Sequence, residues 1–189
     1  MPFTFTPTAQ LPEVVLIEPK IRGDSRGWFA ETYKRSEFAA AGITPEFHQD
    51  NQSLSTGRGI LRGLHYQLEP VTQGKLVRAL RGEVFDVAVD IRRGSPTYGR
   101  WAGATLTAEN HAMLWVPPGF AHGFQTLTEL TEVAYKTTGE YSPAHEGAVR
   151  WNDPALAISW PVADAKLNER DAGAPLLADA RNTFSWKAP

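Results

Sequence analysis

At 189 residues the chain is long enough to bury one core, and no shift of composition divides it, so residues 1–189 are expected to form a single domain. It has no cysteine and a net charge of -2 at pH 7, which excludes disulfides, thiolate catalysis and Cys-ligated zinc and leaves no basic face for nucleic acid. No apolar run approaches the roughly 20 residues needed to span a bilayer, and Met1–Thr8 lacks the basic start and apolar centre of a signal peptide, so a cytoplasmic protein without membrane partners is expected.

Glycine and proline are plentiful, and turn signals such as Arg93-Gly94-Ser95-Pro96 and Pro117-Pro118-Gly119 separate short apolar segments. This pattern predicts a mainly β chain, a sandwich or barrel with little helix. Val14–Pro19 reads as a strand leading into the turn-rich Arg22–Gly27, and the aromatic Trp28–Tyr33 favours β structure. Ser36–Gly42 reads as one short helix, with Ser36 as N-cap and Gly42 as terminator. Phe47–Ser53 is unusually polar, and strand alternation puts the amides of Gln49 and Asn51 on one face.

Gly59–Gln67 sets Arg62 and His65 inside a glycine-flanked apolar segment. In a regular strand Leu61, Gly63, His65 and Gln67 share one face and Arg62, Leu64 and Tyr66 the other. For Arg62 and His65 to serve one site the strand must be irregular, and Gly63 is the place for a bulge. Lys75 heads a further strand, and His122 follows a proline-glycine turn, so a pocket lined from several strands is expected.

Between Val84 and Ile91, Phe85, Val87, Val89 and Ile91 form a core face, while Asp86 and Asp90 fall on the other and are read as solvated or hydrogen-bonded structural groups. Tyr98–Leu106 and Met113–Val116 are further strands. Tyr135 shares a face with Val133 and Thr137 and is expected to point inward. Leu167–Ala172 and Pro175–Ala180 read as short helical turns.

Arg62-Gly63-Leu64-His65-Tyr66-Gln67, Pro117–Phe124, Tyr135-Lys136-Thr137-Thr138 and Trp151-Asn152-Asp153-Pro154 together resemble the dTDP-4-dehydrorhamnose 3,5-epimerase family, over about Val14 to Leu177. The family belongs to the cupin superfamily, and the resemblance implies a cupin-type jelly roll with a few short helices, mostly near the C-terminus. It implies the substrate dTDP-4-dehydro-6-deoxy-D-glucose, epimerised at C3 and C5 without a cofactor. By the same resemblance His65 is the base, Asp171 orients it, Tyr135 is the acid from the opposite face, and Lys75 stabilises the enolate. Nucleotide and sugar contacts fall on Arg26, Glu31, Gln49, Asn51, Arg62, His122, Tyr141, Glu146 and Arg170. The family's homodimers, in which N-terminal strands add to the partner's sheet, imply a homodimer here.

Two departures bear on the pocket's shape: Trp28 stands where the family usually has Phe, and Gly139-Glu140 replaces an acidic or Asn residue followed by an aromatic. Gln67 stands two residues after His65, where a metal-binding cupin has a second His. His65 and His122, with Glu83 as a distant third, are too few ligands for a transition metal, so a metal-free site is expected. The competing readings are an epimerase acting at one carbon only, a metal-dependent cupin oxygenase and a non-catalytic sugar-nucleotide binding module.

Overall fold

The computed structural model describes residues 1–188. In chain order the first strands are β1 (Phe3–Pro7), β2 (Val15–Pro19), β3 (Arg22–Asp24) and β4 (Gly27–Phe29), followed by helix α1 (Arg35–Ala40). Then come β5 (Gln49–Thr56), β6 (Leu61–Gln67), β7 (Lys75–Arg81), β8 (Glu83–Asp90) and β9 (Trp101–Thr107). β10 (Met113–Val116), β11 (Phe120–Thr126), β12 (Leu130–Thr137), a 3-10 turn at Pro143–His145, β13 (Glu146–Ala148) and helix α2 (Glu169–Ala172) follow.

Two antiparallel sheets face each other in a cupin-type jelly roll. One runs β1-β2-β10-β7-β12-β5 and the other β13-β6-β11-β8-β9, while β3 and β4 form a separate hairpin. Between the sheets lies an apolar cluster that includes Val77, Val84, Ala88, Leu114, Phe124 and Val133. The outer face of the five-stranded sheet is covered by the C-terminal segment, which sets Leu156, Leu177 and Phe184 against Leu64, Val87 and Val89. The six-stranded sheet packs Leu76, Met113 and Trp115 against Phe3, Phe38 and Ile43. Both faces of β8 are therefore buried, and Asp86 and Asp90 are fully enclosed rather than solvated. Burial alone would raise the Asp90 carboxyl, but hydrogen bonds from Arg92, Ser95 and Thr97 hold it below the usual range.

Several boundaries differ from the sequence pattern. Lys34, not Ser36, is the N-cap of α1, and no side chain caps the helix. The packing of Tyr33 on Phe38 and Phe47 draws the chain into the helix before Ser36 is reached. The aromatic strand at Trp28 is only three residues long, because β4 pairs with β3 alone. Tyr98 belongs to the turn before β9, its N–H donating to Ser95 O. Residues 175–180 make a turn through Ala180 N–H to Leu176 O, not a helix.

The expected irregularity of β6 is present. Opposite β11, His122 faces His65 but Phe124 faces Arg62, so two residues of β6, Gly63 and Leu64, stand against the single Gly123. The extra residue reverses the alternation. His65 and Arg62 both face between the sheets, while Leu64 and Tyr66 join the outer apolar cluster. Gly63 has φ +139°, and a Cβ there would lie 2.5 Å from Gly123 Cα and 3.0 Å from His122 O. Nothing flexible is available to yield. Gly63→Ala is thus expected to cost at least about 2 kcal/mol, lowering the melting temperature by roughly 5 °C or more in a domain of this size; a calorimetric melt checks this.

Candidate active site

The bulge brings an imidazole and a carboxylate together. Asp171 lies in α2, whose first turn is fixed by Asn168, the N-cap, accepting from Asp171 N–H at 2.7 Å. The Asp171 carboxylate in turn accepts from the Gly63 N–H at 3.2 Å and contacts His65 Nε2 at 2.7 Å. Burial would raise this carboxyl, but the hydrogen bond and charge of His65, the Gly63 N–H and Arg170 together hold it below the ordinary carboxylate range. An ionised carboxylate can only accept, so in neutral His65 Nε2 carries the proton and Nδ1 holds the lone pair.

The opposite wall comes from the six-stranded sheet. Asn51, Tyr135 and Val77 lie opposite one another across β5, β12 and β7, as do Gln49, Thr137 and Lys75 in the next inward row. Side chains in such rows stand about 5 Å apart on one face. Lys75 is buried, and its Nζ donates to His65 O at 3.3 Å. Burial pushes this ammonium down to about 8, against the pull of Asp86 and Glu146. Burial also raises the Tyr135 phenol, so it stays protonated at neutral pH.

A cavity of about 200 Å³ is lined by His65, Lys75 and Tyr135, with Gln49, Asn51, Tyr141 and Glu146 around them. The rim is cross-linked. Gln49 donates to Asn51 Oδ1 at 2.8 Å and accepts from Tyr141 N–H at 2.9 Å. Glu146 pairs with Arg170 at 2.6 Å and accepts from the Tyr141 hydroxyl at 2.9 Å. Arg62 reaches Ser55 Oγ and Leu54 O from the wall beside Tyr135. His122 is buried behind His65, with Nε2 3.0 Å from each oxygen of Asp86. Burial lowers its imidazole, so it is neutral at pH 7.

Of the residues expected at the site, Asp171, His122, Arg170, Arg62, Arg26 and Glu31 do not line this cavity; Asp171 and His122 adjoin His65 and Arg170 adjoins Glu146. Arg26 lies on the β3–β4 hairpin, paired with Asp24 at 2.6 Å and 88% exposed in its side chain. Trp28 and Phe29 on the same hairpin are 61% and 64% exposed. Two residues that sequence reasoning left without a role now have a place. Gln67 donates to Glu140 O and Val71 O and accepts from Ser142 N–H, so it anchors the loop that carries Tyr141. Asp86 sits under the site, and the signal for it was an acid on the inward face of an apolar strand. Among the described residues no three His, Cys, Asp or Glu side chains are grouped to hold a metal ion. A larger cavity of about 340 Å³ lies on the outer face of the six-stranded sheet, against Asp50, Arg78 and Lys136. Its Asp50 and Lys136 are paired with each other at 2.8 Å, and no imidazole lines it.

What the inner cavity offers is an imidazole backed by a carboxylate on one wall, a phenol on the other and an ammonium between. That set suits removal of a proton beside a carbonyl and its return from the other side. Because the folded-state Asp171 carboxyl is depressed, the stability it contributes is complete above its unfolded value of about 4 and is lost as pH falls through the lower folded value. Asp171→Asn is expected to flatten the pH dependence of the melting temperature between about pH 2 and pH 5, as thermal melts across that range will read.

The family model for dTDP-4-dehydrorhamnose 3,5-epimerase matches residues 8–179. A curated protein of that name from Pseudomonas aeruginosa is 54% identical over 172 residues, covering 90% of this chain and 94% of its own. The crystal structure of a dTDP-6-deoxy-D-glucose-3,5-epimerase from Legionella pneumophila, in complex with dTDP-4-keto-L-rhamnose, is 49% identical with a TM-score of 0.89 and covers 93% of each chain. That of a dTDP-4-dehydrorhamnose 3,5-epimerase from Bacillus anthracis, with TDP and PPi bound, is 44% identical with a TM-score of 0.88, covering 92% of this chain and 99% of that one.

Proposed function

The chain belongs to the dTDP-4-dehydrorhamnose 3,5-epimerase family, and on that premise we propose how its cavity works. The reaction is epimerisation of dTDP-4-dehydro-6-deoxy-D-glucose at C3 and C5 to dTDP-4-dehydro-L-rhamnose. Both carbons flank the C4 ketone, so each proton can leave if the resulting enolate is stabilised.

The observation that carries the mechanism is the placement of His65 and Tyr135 on opposite sheets, across one cavity. His65 Nδ1 takes the proton from carbon, and the C–H electron pair moves into the enolate. Asp171 stabilises the imidazolium that forms, through Nε2. Lys75 faces the C4 oxygen as a compact positive charge, available only inside the water-poor interior. Tyr135 then returns a proton to the other face of the same carbon, and exchange with solvent resets the acid and base. Substrate contacts are assigned to Gln49, Asn51, Tyr141, Glu146 and Arg170 at the rim, to the exposed Arg62 and to the buried His122.

A cavity of about 200 Å³ is small for a sugar nucleotide, since pockets for ligands of that size run to several hundred Å³. The nucleotide therefore extends over the rim at Tyr141. The exposed aromatic hairpin with Arg26, and Glu31 just beyond it, fit the expected homodimer if each copy lends them to the other's rim. Equal mixing of Arg26→Ala and His65→Ala chains should then restore activity that neither variant has alone, because one site of each mixed dimer is intact. No regain on subunit exchange would mean that Arg26 is not lent to the partner's site.

The direct test is proton NMR of dTDP-4-dehydro-6-deoxy-D-glucose with the enzyme in deuterated water, the product being trapped by a keto-sugar reductase and NADPH. Deuterium and inversion at both C3 and C5 are expected. Label at one carbon alone would make this a single epimerase, and substrate binding without exchange would make it a binding module. His65→Ala should slow exchange about 10²–10⁴-fold and Lys75→Met about 10²–10³-fold, with folded protein by circular dichroism in each case.

A further inference from the structure

Asp86 is the one buried acid at this site that the mechanism above does not use. It is fully enclosed on the inward face of β8, opposite Phe124 and diagonal to His122, among Val84, Ala88 and Phe124 of the apolar core. A carboxylate placed there is costly unless other charges and hydrogen bonds compensate it. His122 supplies the hydrogen bond, its Nε2 lying 3.0 Å from both oxygens. A neutral imidazole supplies no counter-charge. The remaining partner is Lys75, itself buried, whose Nζ bonds the carbonyl of His65 directly opposite His122 and whose ammonium the Asp86 charge supports.

The groups facing Lys75 come from four strands besides its own: His65 on β6, Asp86 on β8, His122 on β11 and Tyr135 on β12; Glu146 on β13 also acts on it. Glu146 is already neutralised by Arg170 and bonded by Tyr141. Asp86 therefore remains the anion whose charge is free to hold the ammonium. We propose that Asp86 is a positioning residue of this active site: its charge keeps Lys75 protonated where the enolate forms, and its two oxygens fix His122 in the tautomer with the proton on Nε2. The His122 ring then presents Nδ1 as an acceptor, which suits a substrate hydroxyl and not a phosphate oxygen. The proposal rests on the reading of Lys75 as the enolate-stabilising group.

The test measures kcat against pH, from about 6 to 9.5, for the wild-type enzyme, Asp86→Asn and Lys75→Gln. Loss of a nearby opposite charge is expected to move the Lys75 ammonium down by about one unit, so the ratio of Asp86→Asn to wild-type kcat should fall about tenfold from the acid to the alkaline end. A ratio flat across pH, with the alkaline fall of the wild type absent in Lys75→Gln, would leave Asp86 a merely structural residue and overturn the proposal alone. An alkaline fall that persists in Lys75→Gln would overturn the reading of Lys75, and the proposal with it. Nitrogen-15 NMR of histidine-labelled wild-type enzyme decides the tautomer without any variant. A proton on Nε2 of His122 is expected, and one on Nδ1 of the neutral ring would overturn the assignment.

Discussion

The close approach of Gly63 to Gly123 is the constraint on which the site depends. Only two residues without side chains allow the backbones of β6 and β11 to come so near, since a Cβ on Gly123 would stand 2.8 Å from Arg62 O and 3.0 Å from Gly63 Cα. The bulge formed there does two things at once. It turns Arg62 and His65 to the same side of the sheet, and it frees the Gly63 N–H from the strand ladder to bond Asp171. A regular strand would offer His65 without Arg62 and would leave the Asp171 carboxylate short of one donor.

Around this point the interior is layered by polarity. Below the cavity, Val77, Val84, Ala88, Phe124 and Val133 fill the space between the sheets and exclude water. Above it, Gln49, Asn51, Tyr141, Glu146 and Arg170 form a hydrogen-bonded rim open to solvent. The charged groups lie at the boundary, where Lys75 and Asp86 are stripped of water but remain close enough to act on each other. Electrostatic interactions are stronger there than in water. A small ammonium held there acts on its neighbours without rearrangement of solvent, which is what the role proposed for Lys75 requires.

The exposed parts follow the same division of labour. Among the described residues the β3–β4 hairpin pairs with no third strand, and Trp28 and Phe29 stay largely exposed although the Trp28 ring rests on His111 at 4.3 Å. A two-stranded ribbon with two largely exposed aromatic rings is marginal by itself. The segment gains purpose if another copy receives it, because the rim of the cavity is the part that a single chain leaves open.

The sequence by itself determined the β class, most of the strands, the need for a bulge at Gly63 and the shared face of Gln49 and Asn51, because these follow from local rules of alternation and glycine geometry. The quoted motifs carried the family and pointed to His65 and Tyr135 as the pair proposed for acid-base work. Ser36 failed as N-cap because the aromatic packing of Tyr33 with Phe38 and Phe47 lies outside any local window. Of the two readings of Asp86, solvated or hydrogen-bonded, the structure bears out the second, and nothing local to β8 could name His122 as its partner. His65 and Asp171 are 106 residues apart in sequence and 2.7 Å apart in space. Only the tertiary structure decided such pairings, and with them which charges are buried, because burial and coupling depend on what the second sheet and the C-terminal segment bring over each strand.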